Sequence, residues 1–134
     1  MGKLRRITMN AEMQFDCVGV EPAKVLKVTM SGRISTHQKL AHYQEIIEQA
    51  EQEQTRLLLV DNTELVIDGA AIDIHHMMDL LRVKLKSYQV ARVIIDDGHQ
   101  QQLIQQCADY NNLKLQHFLN EHDAIYWLSD FQKN

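Results

Sequence analysis

The sequence predicts an α/β fold: a mixed five-stranded sheet that opens with an antiparallel hairpin, continues by parallel βαβ crossovers and carries about four helices. Three features predict it. Apolar residues roughly alternate over two neighbouring stretches between Met13 and Met30, the period of strands. Two strongly apolar runs, Leu57 to Val60 and Val90 to Ile95, are each followed by aspartate, as suits strands covered on both faces. Stretches of helical period separate these runs. Strands alternating with helices after a hairpin give the order ββαβαβαβα.

The first strand takes in Met13, Phe15, Cys17 and Val20, and after a turn at Gly19 to Lys24 the second runs through Val25, Val28 and Met30 to Gly32. Ser35 with Gln38 three residues later forms a capping box for a helix whose inward stripe is Leu40, Tyr43, Ile47 and Ala50. A strand over 56–60 ends at Asp61, and a loop follows. A long helix then begins at Asp68 and Gly69, with Asp68 as its N-cap. Over 69–87 its main stripe is Ala70, Ile74, Met77, Met78, Leu81 and Leu85, flanked by a second stripe of Ile72, Leu80 and Val83.

The Val90 to Ile95 strand leads to Asp96 and Asp97. Asp97 is placed to cap a glutamine-rich helix with Leu103, Ile104, Cys107 and Ala108 inward. Leu113, Leu115, His117 and Leu119 make a last strand, and a short helix from about His122 carries Ala124, Trp127 and Leu128.

The chain has 134 residues, 45% of them hydrophobic and 24% charged, with one proline and five glycines. That is the make-up of one globular domain spanning 1–134, with residues 1–9 as a tail. The net charge of −4 is spread without a basic stripe, which argues against a nucleic-acid binder. Lys3, Arg5 and Arg6 form the one basic cluster, too short and too polar in its surroundings for a secretion signal. Cys17 and Cys107 lack metal or redox spacing and read as free thiols. With no apolar run of about 18 residues for a membrane span, the expected location is the cytoplasm.

The strings Lys27-Val-Thr-Met-Ser-Gly-Arg-Ile-Ser-Thr36, Leu57-Leu-Leu-Val-Asp61, Val90-Ala-Arg-Val-Ile-Ile95 and Ala124-Ile-Tyr-Trp-Leu128, in this element order, resemble the SpoIIAA-like (STAS-type) family of small bacterial proteins. The architecture is more distantly similar to the CRAL-TRIO lipid-transfer domains. The resemblance implies a regulatory or protein-interaction module. The anti-sigma-factor antagonists of this class are switched by phosphorylation of a serine in a pattern like Asp-Ser-Ser-Gly. The corresponding Asp68-Gly69-Ala70-Ala71 offers no hydroxyl, so the switch is not carried over.

No nucleotide loop, GxSxG elbow or HExxH motif occurs, so no catalytic residue and no cofactor is assigned. Asp61, Glu64, Asp96 and Asp97 lie near predicted strand ends, where open α/β sheets place their sites, and oxygen ligands suit a divalent metal. Capping and turn roles explain the same aspartates more plainly. His75 and His76 have helical spacing to Asp79, but adjacent residues point about 100° apart and do not readily share one site. Ile74, Met77, Met78 and Leu81 are candidates to line an apolar ligand pocket, since methionine adapts to irregular shapes; core packing is the plainer role. Ile72, Leu80 and Val83 are candidates for a subunit interface. The leading expectation is a homodimer or a partner-binding module; a carrier of a small hydrophobic ligand comes second and a metal-dependent enzyme third.

Overall fold

A computed structural model describes residues 4–8, 11–18, 24–96 and 98–131. Its elements are β1 (Leu4–Thr8), β2 (Ala11–Val18), β3 (Val25–Ser35), α1 (Thr36–Glu53), β4 (Leu57–Asp68), α2 (Ala71–Lys84), β5 (Gln89–Val93), α3 (His99–Tyr110), β6 (Lys114–Phe118) and α4 (Glu121–Phe131). The five expected strands follow one another in the expected order. A sixth, β1, forms where a tail over 1–9 was expected. It pairs antiparallel with β2, Leu4 opposite Phe15 and Thr8 opposite Ala11, and so satisfies backbone groups that β2 would otherwise leave bare at the sheet edge. The connection expected at 19–24 lies, except for Lys24, outside the described residues.

The strands lie in sequence order, β2 antiparallel to β3 and β3 through β6 parallel. Because every crossover steps the same way and right-handed crossovers are the rule, α1, α2 and α3 fall on one face. Tyr43 and Ile46 of α1, Met77 and Leu81 of α2 and Ile104 and Ala108 of α3 pack there on Leu26, Val28, Leu58, Val60 and Val90. The other face is covered by α4, whose Ala124 and Leu128 close over Val25, Leu59, Ala91 and Val93. This explains why the central runs are apolar apart from Arg92: each is buried on both sides.

Ser35 caps α1 as expected. Its hydroxyl accepts from the Gln38 backbone N–H at 3.1 Å while the Gln38 side-chain oxygen Oε1 accepts from the Ser35 N–H at 2.8 Å. The helix is rotated from the expected stripe, for its buried residues are Lys39, His42, Tyr43, Ile46, Gln49 and Ala50, with Leu40 and Ile47 at the margin of the core.

The largest difference is β4, which does not end at Asp61. Thr29 pairs with Asp61 but Ser31 with Glu64, so the two strands lose register there and regain it through Ser35 opposite Asp68. The extra residue makes a bulge at Asp61 to Thr63, held by the Asp61 carboxylate, which accepts from both the backbone N–H (3.0 Å) and the hydroxyl (2.7 Å) of Thr63.

The continued strand also moves the start of α2. Asp68 completes β4 and pairs with Arg33 instead of capping. Ala70 is the N-cap, its N–H accepted by the Asp73 carboxylate at 2.9 Å, and the helix spans 71–84, not 69–87. Gly98 stands at the N-cap of α3; Asp97, the expected cap, is outside the described residues.

Candidate functional site

Two sides of α2 carry the candidate sites. Its inner side presents Ile74, Met77, Met78 and Leu81, all buried against the sheet. With Ile67, Ile104, Leu115, Lys39, Tyr43 and Arg92 the last three of these enclose a cavity of about 10 Å³, the room of a single water molecule.

The polar members of that wall were not foreseen. Lys39 on α1 and Arg92 on β5 are each 1% exposed. The Lys39 ammonium donates to the Asn62 side-chain oxygen at 3.1 Å, touches the Met30 sulfur at 3.1 Å, and lies 5.2 Å from the Tyr43 ring centre. Asn62 reaches it because the bulge of β4 turns that side chain into the core. Arg92 donates from one nitrogen, Nη1, to the Gln101 side-chain oxygen Oε1 at 2.8 Å and to His117 Nε2 at 2.7 Å. Since arginine only donates, Nε2 must accept, which requires a neutral His117 with its proton on Nδ1.

The electrostatics follow from two buried cations without a carboxylate. Burial first, then the Arg92 charge, push Lys39 well below the ordinary lysine range. Burial and Arg92 together lower His117 to about 3, and burial with Lys39 lowers His42. Burial also lowers Arg92, opposed by the Tyr43 hydroxyl facing it. Each shift points the same way: the cluster resists positive charge and contains nothing negative to balance it.

On the outer side of α2, Ile72, Leu80 and Val83 are 74%, 43% and 68% exposed. They share one face, since 72, 80 and 83 recur at helical spacing. Between α2 and α3 an open cleft of about 610 Å³ is lined by His75, Asp79, Gln106, Cys107, Tyr110 and Asn111. Cys107 Sγ lies 3.4 Å from His75 Nδ1, yet burial raises the thiol pKa and keeps it protonated, the opposite of an activated nucleophile. A second cleft, about 440 Å³, opens beside β6 over Ile94, Gln105, His117 and Phe118.

The acidic candidates are dispersed in role. Asp61 is committed to the bulge in mid-strand, Glu64 is exposed, Asp96 accepts from the Gly98 N–H at 3.1 Å, and Asp97 is outside the described residues. Among the described residues no three histidines, cysteines or acids gather around one point.

A solved structure shares this architecture: an uncharacterised protein of the DUF3478 family from Shewanella loihica PV-4, described as having a SpoIIAA-like fold. It aligns with a TM-score of 0.61 and 20% identity, covering 92% of this chain and 98% of that one. The fold is SpoIIAA-like. No protein-family model matches the sequence, and no curated protein does. At this identity the likeness carries the fold alone. Within the SpoIIAA-like frame, β4 ends at Asp68 and Gly69-Ala70 lead into α2. Here that turn holds an ion pair and a packed glycine, whose added Cβ would stand 2.8 Å from Thr36 Cγ2. No described helix is long and apolar enough to cross a membrane.

Proposed function

We propose that this SpoIIAA-like protein is a non-catalytic interaction module that works as a homodimer, its two copies meeting through the outer face of α2. The supporting observation is that Ile72, Leu80 and Val83 form one apolar stripe that the subunit leaves in solvent, flanked across the cleft by exposed Tyr110 on α3.

Charge favours a second copy as the occupant. The acids Asp73 and Asp79 precede Arg82 and Lys84 along the helix, so two α2 helices packed antiparallel set the acidic part of one against the basic end of the other. Such a surface is complementary to itself, as a two-fold interface requires. With 14 residues, α2 is long enough, about 21 Å, for a coiled-coil-like contact. The carrier reading gains little, because the inner side of α2 encloses room for one water and no hydrophobic ligand.

Native mass spectrometry of the full chain tests the proposal. A dimer that Leu80→Glu and Val83→Lys each convert to a folded monomer is expected. A monomer at all concentrations, or a dimer indifferent to both substitutions, would overturn it.

A further inference from the structure

The buried cluster on the other side of α2 carries a separate inference, independent of the dimer. Lys39 and Arg92 are both fully buried, and no described carboxylate pairs with either. The donors outnumber the acceptors. Among the described residues Arg92 Nη2 has no acceptor in hydrogen-bond geometry, although the Tyr43 hydroxyl faces the guanidinium, and neither has Asn62 Nδ2 on the residue that Lys39 contacts. Lys39 itself offers three N–H groups to one amide oxygen and one thioether, a weak acceptor. Leaving such donors without partners is costly, and leaving two cations without a counter-charge more so. Lys39 and Arg92 line the same small cavity, with Tyr43 as its other polar wall and Met77, Met78 and Leu81 among its apolar ones.

We propose that this cavity is a binding site for a small monovalent anion, a halide or the head of a small carboxylic acid, held between the Lys39 ammonium and the Arg92 guanidinium. The anion supplies the acceptor that Nη2 lacks and the negative charge that the cluster lacks. Sulfate and phosphate, bulkier than a halide or formate and carrying more than one charge, are disfavoured in so small a space. The titratable neighbours, His42 and Tyr43 from α1 and His117 from β6, hold no negative charge near neutral pH that would compete. A bound anion also reverses the push that burial and Arg92 exert on Lys39, so the ammonium form is stabilised in the complex.

Crystals of the full chain soaked in bromide provide the direct test, since bromide is located by its anomalous scattering. A peak between Lys39 Nζ and the Arg92 guanidinium is expected. In parallel, thermal midpoints are measured at constant ionic strength with bulky gluconate replaced stepwise by bromide or formate. The midpoint of the native chain should rise with the small anion, and Lys39→Met should weaken the apparent affinity roughly ten- to a hundred-fold, the worth of a hydrogen bond to a charged group. A response to bromide alone identifies a halide site; a stronger response to formate identifies an organic acid as the source. A flat anomalous map at the cavity, together with native midpoints that neither anion raises from their gluconate values by more than it raises those of Lys39→Met, would overturn the proposal. Should Lys39→Met fail to fold, the native map decides alone.

Discussion

The Lys39 ammonium stands 3.1 Å from the side-chain oxygen of Asn62, and this contact ties the first helix to the bulge of the fourth strand. Lys39 is buried, and among the described residues that neutral amide is its one oxygen acceptor. Removing the charge is therefore expected to help more than losing the contact hurts. Lys39→Met should raise the unfolding free energy by about 1 kcal/mol in gluconate buffer, as replacement of buried charge by apolar volume often does. Asn62→Ala keeps the charge and takes away its acceptor, and should cost about 1–3 kcal/mol. Urea unfolding of the three proteins checks both signs; a loss in both variants would mean that Lys39 is better solvated than its surroundings indicate.

Protonation gives the stability curve two slopes. His117 titrates near 3 in the fold and near 6.5 when unfolded. Below about pH 6.5 the unfolded chain binds a proton that the folded one refuses, so stability is complete above that pH and falls towards pH 3. The slope is at most about 1.4 kcal/mol per pH unit, and smaller to the extent that the ring opens to the β6 cleft. His42 adds in the same direction. His117→Gln keeps an acceptor for Arg92 and should flatten the acid limb. On the alkaline side Lys39, also lowered, makes stability rise as the pH climbs towards the unfolded lysine value of about 10.4. That rise should vanish in Lys39→Met, as urea midpoints taken from pH 7 to 10 would reveal.

Gly69 and Thr36 are coupled across the turn before α2. A methyl group at 69 meets Thr36 Cγ2 at 2.8 Å, which offsets the chain-entropy gain of about 0.4–1 kcal/mol that Gly→Ala brings at a permissive site. Gly69→Ala should stabilise the chain only when Thr36→Ser has removed that methyl. A double-mutant cycle by thermal unfolding should return a coupling of about 0.5–1 kcal/mol; a coupling of zero would show that the turn relaxes freely.

Gln54 ends α1 in the left-handed conformation, φ 57°, with its N–H on the Ala50 and Glu51 carbonyls. Glycine adopts that conformation without the penalty of a side chain. Gln54→Gly should raise stability by about 0.5–1 kcal/mol in a thermal melt. Asn112, at the same φ, should gain less from glycine because asparagine already tolerates it.

The element order and the two doubly covered strands were legible in the sequence, since long apolar runs and capping boxes are local signals. So was the outer stripe of α2, where Ile72, Leu80 and Val83 repeat at helical spacing whether or not anything covers them. The buried cluster was not. On α1 the inward positions include Lys39, His42 and Gln49, so a search for apolar residues selects a neighbouring stripe through Leu40 and Ile47. Arg92 was hidden inside the run Val90 to Ile95, although alternation places it on the same side as Val90; the signal was there and was outweighed by hydropathy. The length of β4 escaped because Asp61-Asn62-Thr63 has the composition of a turn. Only the neighbouring strand, continuing to Ser35, supplies the pairing that keeps it extended.

The bulge at 61–63 also changes which side of the sheet the chain counts on. Before it, the even-numbered Leu58 and Val60 face the three helices; after it, the odd-numbered Leu65 and Ile67 do. The strand thus holds a single shift of phase, and Asn62 sits at the point of change. Straightening the bulge with every residue kept would carry the even count through, turning Ile67 out to water and bringing Val66 and Asp68 inward, whereas deleting one residue there would leave Leu65 and Ile67 on the helix side. The far half of β4 therefore faces the right way only because the bulge absorbs one residue, and at this one point of the strand the chain can lose a residue without inverting its surface.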